Sequence, residues 1–203
     1  MGAVPKPAPW PRSSLPQTLS REQVRALLTS FERTTRTGRR DYAMALCLTQ
    51  LGLRVSEVAG LSLEDIDGRR GTLRLRQTKQ RQQRLLPLPS CLARAIASYL
   101  RDGRPSTESR ALFVRHRAPL GRALAAHHVR GAMRRAFARS GIGVTRVHLL
   151  RHTLATELHQ KGVGLKALAD VLGHQCMEKA ARYARVNLRE LRQAAQPWPE
   201  ERS

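Results

Sequence analysis

The stretch His148-Leu149-Leu150-Arg151-His152-Thr153, followed by Leu172-Gly173-His174 and, nine residues on, by Tyr183, gathers the chemistry that the rest of the chain has to support. Helical spacing puts His148 and Arg151 on one face about a turn apart. An imidazole then stands beside a planar cation whose fork fits phosphate oxygens and which keeps its proton under working conditions, so Arg151 reads as a clamp for negative charge. Tyrosine can form a covalent intermediate, but its ordinary pKa of about 10 means that Tyr183 needs neighbours to become a phenolate. A tyrosine served by such a cluster would attack phosphorus.

The composition agrees. Thirty-seven Lys and Arg against fifteen Asp and Glu give a net charge of +22 over 203 residues. The excess runs along the whole chain, and its usual partner is a nucleic acid backbone. No apolar run approaches the roughly eighteen residues of a membrane span, and no apolar secretion signal follows Met1, so no membrane partner and a cytoplasmic location are expected. Cys47, Cys91 and Cys176 have no paired spacing and read as reduced and structural, with Cys176 the one near a site. Aromatic residues make up only 4% of the chain, which disfavours a single-strand binder built on stacked bases.

Outward from the opening stretch, residues 1–19 carry five prolines among small and basic residues and read as a linker or disordered arm. Residues 20–195 read as the catalytic domain and 196–203 as a tail. Ser20-Arg-Glu-Gln23 is a capping-box pattern before Val24, Leu27, Leu28 and Phe31 at helical spacing. A buried helix is predicted from about Asp41 to Gly52, and a short one with Val55, Val58 and Leu61 inward. Arg54 stands at that helix start, where the dipole does not favour a cation and an anionic partner explains it better. Thr72–Arg76 and Arg84–Leu88 alternate as the strands of a hairpin with Lys79 at or near its tip. Ser90–Leu100 is predicted helical with Leu92, Ile96 and Leu100 on one face. Leu112-Phe113 is extended, Ala123–Ser140 is helical, and a last helix runs from Leu188 to Ala195. The fold class expected is mainly α with a small antiparallel hairpin or three-stranded sheet.

Lys79 stands out by type. Only five of the 37 basic residues are lysine, yet one falls at the hairpin tip among Arg76, Arg81 and Arg84. Lysine can give its proton to a leaving alkoxide and arginine cannot, which fits a general acid.

The order and spacing of Arg54, Lys79, His148, Arg151, His174 and Tyr183 resemble the catalytic domain of the tyrosine recombinases, the phage-integrase family. Gly52-Leu-Arg54-Val-Ser-Glu57-Val-Ala-Gly-Leu61 is similar to its first arginine box, Thr78-Lys79 through Arg84-Leu-Leu-Pro87-Leu88 to its hairpin segment, and the opening stretch to its second box. The resemblance implies that Tyr183 attacks a DNA phosphodiester and becomes joined to the 3′ phosphate. It implies that Arg54 and Arg151 hold the non-bridging oxygens, that Lys79 protonates the departing 5′ oxygen, that His148 assists proton transfer from the tyrosine and that His174 hydrogen-bonds the phosphate. Bond energy is then kept in the phosphotyrosine, so neither ATP nor metal is expected as a cofactor. The implied partners are double-stranded DNA, other recombinase protomers in a tetrameric assembly on it, and an N-terminal core-binding domain missing from this chain. Thr78 and Gln80 beside the lysine, and Ala180 and Ala181 before the tyrosine, depart from the family pattern.

Other readings stand beside these. A type IB topoisomerase uses a similar constellation, and a regulator could keep the fold without turnover. His148 and His152 are four apart without a third ligand at a zinc spacing. Glu57 either buttresses Arg54 or lies on the surface, and Asp65 and Asp67 read as turn residues. Leu168, Val171 and Leu172 read as core. Arg76, Arg81, Arg84, Arg130 and Arg134 are the candidate contacts to the DNA backbone, with Arg135 and Arg139 on the same helix.

Overall fold

The computed structural model describes residues 18–76, 83–143 and 146–172. Helix α1 (Arg21–Thr29) begins as its sequence predicts. Ser20 Oγ accepts from the Gln23 amide at 3.2 Å and Gln23 Oε1 accepts from the Ser20 amide at 2.9 Å, which satisfies two amides that a helix start leaves open. Just ahead, the Leu19 amide donates to Thr153 Oγ1 at 2.9 Å.

Helix α2 (Arg36–Gln50) is the axis of the molecule, packed by α1, by α3 (Val55–Gly60), α4 (Ser90–Asp102), α5 (Ala126–Arg139) and α6 (His148–Gln160). It starts at Arg36, ahead of the expected Asp41, because Thr35 Oγ1 accepts from the Gly38 amide at 3.0 Å and caps a first turn with no apolar period to announce it. From Ala43 to Leu48 no residue is more than 2% exposed, so this stretch is buried all round. Arg40 and Asp41 enter that core as a pair at 2.7 Å, with Arg40 also donating to the Val114 carbonyl at 3.1 Å. A lone buried charge would be costly; the pair and its carbonyl offset that.

Three strands, β1 (Ile66–Asp67), β2 (Thr72–Leu75) and β3 (Arg84–Pro87), form an antiparallel sheet in that order. Leu73 faces Leu86 across the ladder. Leu73, Leu75 and Leu86 turn into the core while Leu85 faces out, 65% exposed, as period-two alternation requires.

Three expectations shift. Leu100 is 38% exposed and Tyr99 takes the inward place. Helix α5 opens at Ala126, not Ala123, because Ala123 pairs with Val114 in a β-bridge and is held extended. Asp65 is not merely a turn residue: it is 4% exposed and accepts from Ser62 and Arg76. Asp67 does form the expected turn, accepting from the Arg69 and Arg70 amides.

Helix α7 (Leu165–Leu172) folds back on α6, burying Ala155, Leu168 and Leu172 in a second small cluster. Cys47 and Cys91 are free thiols, and burial pushes the Cys47 thiol up to about 12, which keeps it inert. Cys176 and the predicted Leu188–Ala195 helix lie outside the described residues.

Tyr99 is fully buried and its ring lies 5.7 Å from that of Phe113. Its hydroxyl accepts from the Val114 amide at 3.3 Å. Tyr99→Phe leaves that amide without this acceptor, so urea denaturation is expected to show a loss of about 1–3 kcal/mol with an unchanged m-value.

Candidate active site

The end of α2 turns back sharply. Gly52 sits at φ +59°, a conformation that costs other residues strain, and a Cβ there would lie 2.8 Å from Leu172 Cδ2 and 3.0 Å from Leu154 Cδ2. Leu53 is then buried and Arg54 takes the N-cap position of α3. A cation at a helix start meets the wrong end of the dipole. The first turn answers it, since Glu57 accepts from the Arg54 amide at 2.7 Å through Oε2 and from the Arg54 guanidinium at 2.9 Å through Oε1. An anionic partner was expected for Arg54; within the fold Glu57 is one partner, while the Arg54 side chain stays 40% exposed.

Glu57 has a second cation. Arg84, at the start of β3, donates to the same Oε1 at 2.7 Å, and its side chain is only 12% exposed. Burial lowers its pKa from the ordinary guanidinium range; Glu57 opposes that shift and Arg54 adds to it. Arg84, one of the candidate contacts to the DNA backbone, thus has its side chain largely enclosed against Glu57. Arg76, another expected contact, is half exposed with its Nε on Asp65 Oδ1 at 2.5 Å.

Arg151 reaches the same turn from α6. It is buried, donating from Nη1 to the Gly52 carbonyl at 2.6 Å and from Nη2 to the Leu172 carbonyl. One guanidinium thus joins the turn before Arg54 to the end of α7, the segment that runs on to Gly173 and His174. His148, the first residue of α6, is exposed, with its ring edge-on to His152 at 5.4 Å. The shared face inferred from their spacing therefore has one exposed and one buried member.

The fold brings Arg54, Glu57, Arg84 and Arg151 to one corner. Lys79, Arg81, His174 and Tyr183 lie outside the described residues. Arg130 and Arg134 are exposed on α5, whereas Arg135 lies 3.8 Å from Asp41 and Arg139 donates to the Ser30 carbonyl at 3.1 Å. The link the sequence did not disclose is Arg84 to Glu57; the Arg54–Glu57 spacing of three did point to their contact. Among the described residues no group of three His, Cys, Asp or Glu could hold a metal ion, and no helix is long and apolar enough to cross a membrane.

Residues 17–190 match the phage integrase family. The chain is 42% identical over 201 residues to y4rA of Sinorhizobium fredii, which bears the name integrase/recombinase; the match covers 98% of this chain and 49% of y4rA. It is 37% identical over 189 residues to y4gC of the same organism, similarly named, covering 91% of this chain and 97% of y4gC. It thus spans about half of the first relative and nearly all of the second. The fold is similar to that of the XerH site-specific recombinase bound to palindromic difH substrate, at TM-score 0.76 and 23% identity over 92% of this chain and 54% of that one.

Because Arg151 satisfies two carbonyls from distant segments, Arg151→Lys has a structural cost apart from any chemistry. A single ammonium cannot reproduce the fork. We expect urea denaturation to show a loss of about 1–3 kcal/mol; unchanged stability would mean that the two carbonyls find other donors.

Proposed function

The chain belongs to the phage integrase family, the tyrosine recombinases, and on that premise we propose that it breaks and rejoins duplex DNA at specific sites through a 3′-phosphotyrosine intermediate. Tyr183 is the nucleophile. Arg54 and Arg151 grip the non-bridging oxygens of the scissile phosphate, and their charge offsets what accumulates on those oxygens as the phosphorus is attacked. Lys79 gives a proton to the departing 5′ oxygen, His148 assists loss of the tyrosine proton, and His174 donates a hydrogen bond to the phosphate. A 5′ hydroxyl from a second strand reverses the step. The bond energy stays in the phosphotyrosine, so no ATP or metal enters the sequence.

The observation that carries this reading is the meeting of the two arginine boxes. Arg151 donates to the carbonyl of Gly52, two residues before Arg54. The two arginines are far apart in sequence, and this hydrogen bond holds them at one turn. Arg54 keeps a partly exposed guanidinium there, as a phosphate clamp requires.

Duplex DNA is the proposed substrate, with a net charge of +22 supplying the non-specific attraction. Arg130 and Arg134 on α5 are proposed as contacts to its backbone. Other protomers on the same DNA, in a tetrameric assembly, and a core-binding domain are the proposed partners, and the cytoplasm is the proposed location. Residues 20–195 would form the catalytic unit, with 1–19 as an arm and 196–203 as a tail.

A nicked suicide duplex, in which the 5′-hydroxyl fragment diffuses away, is expected to trap a covalent protein–DNA adduct with the wild type and none with Tyr183→Phe. DNA binding by both proteins without any adduct would instead mark a regulator with this fold. Relaxation of a supercoiled plasmid without strand exchange between paired sites would mark a topoisomerase.

A further inference from the structure

We propose that Arg84 is a positioning residue that keeps the Arg54 corner cationic by sharing the Glu57 carboxylate. The inference rests on the reading of Arg54 as a phosphate clamp and deepens it.

Arg54 and Glu57 alone would make a neutral pair. Their guanidinium and carboxylate lie 2.9 Å apart, and a phosphate approaching such a pair meets an attraction and a repulsion at nearly the same distance. Glu57 cannot simply be dispensed with, because its other oxygen accepts from the Arg54 amide and closes the first turn of α3. Arg84 resolves the conflict: it donates to Glu57 Oε1 at 2.7 Å, the same oxygen that Arg54 uses. The three groups together sum to one net positive charge.

Exposure assigns the roles. The Glu57 and Arg84 side chains are 6% and 12% exposed, whereas Arg54 is 40% exposed. The buried pair is the tighter and better shielded of the two, and the remaining positive charge therefore resides on the guanidinium that solvent, and an anion, can reach. In a poorly solvated setting that difference in position matters more than it would in water. Arg84 does not need to touch the substrate to act, and its side chain is largely enclosed.

The proposal makes a charge-sum prediction that a purely structural role would not. Arg84→Met leaves Glu57 opposite Arg54 alone and brings the charge of this three-residue group to zero, leaving Arg151 as the corner's remaining excess cation; adding Glu57→Gln returns the group to one positive charge while keeping an acceptor for the Arg54 amide. Adduct formation on the suicide duplex, measured under single-turnover conditions, is expected to fall about tenfold or more in Arg84→Met. It should return most of the way in Arg84→Lys and recover substantially in the Arg84→Met/Glu57→Gln double variant. In an Arg54→Ala background Arg84→Met should cause little further loss. A double variant no faster than Arg84→Met, or an equal loss with Arg54 absent, overturns the proposal.

A second measurement needs no cleavage. Orthovanadate, a tetrahedral oxyanion, raises the melting midpoint of a protein that binds it in the folded state. The part of that rise that Arg54→Ala removes should also be lost in Arg84→Met and regained in the double variant. Retention of the whole Arg54-dependent rise in Arg84→Met overturns the proposal. Wild type that forms no adduct yet shows this pattern would sink the recombinase reading and leave the charge-sharing role standing.

Discussion

The turn between α2 and α3 is closely constrained. Its backbone enters the left-handed region at Gly52, the end of α7 packs so closely that a Cβ would collide with Leu172, and its carbonyl is buried away from water. A buried carbonyl needs a donor, and the one supplied is Arg151, from a helix ninety-nine positions further along the chain. That single bond makes the position of Arg54 depend on the packing of α6, and the bond from the same guanidinium to Leu172 makes the end of α7 depend on it too. Under the proposed function, the residue that grips the phosphate is also one that closes the fold.

The charge distribution follows a similar division. With so few acids, the chain spends several of them where they organise arginines inside the fold. Asp41, Glu57 and Asp65 are each less than a tenth exposed, and each is paired, with Arg40, with Arg54 and Arg84, and with Arg76. Removing Asp41 would leave the buried Arg40 charge without its carboxylate, which costs far more than the pair itself contributes. Other arginines, among them Arg130 and Arg134, lie exposed.

Much of this could be read from local signals. The Ser20–Gln23 capping box, the alternation of β2 and β3, the buried run of α2 and the glycine that ends it are short-range patterns, and all reappear in the fold. Three of the misreadings share one cause. The start of α2 is fixed by a threonine cap over polar residues, the start of α5 by a bridge to Val114, and the burial of Asp65 by Arg76, and none of these carries an apolar period. For the site, the motif spacing named the two arginine boxes but could not say that Arg84 turns inward. That needs the register of β3 against β2 and the placement of both beside α3, which tertiary packing alone decides.

Two electrostatic scales coexist here and do different work. The +22 of the whole chain acts over distances that salt cuts to roughly 8–10 Å at physiological ionic strength, so it can gather a polyanion but cannot choose an atom on it. Choosing an atom requires charges held at hydrogen-bond distance in fixed directions, with little reorganisation left to occur when the reaction begins. An arginine on a flexible surface arm meets the first requirement only. Arg54 meets the second because its backbone is capped by Glu57, its carboxylate partner is shared with Arg84, and the turn that carries it is fastened by Arg151. On the proposed reading the excess of arginine is not redundancy: the buried members fix the direction of Arg54 and the net charge around it, and the surface members supply the field that brings the anion to it.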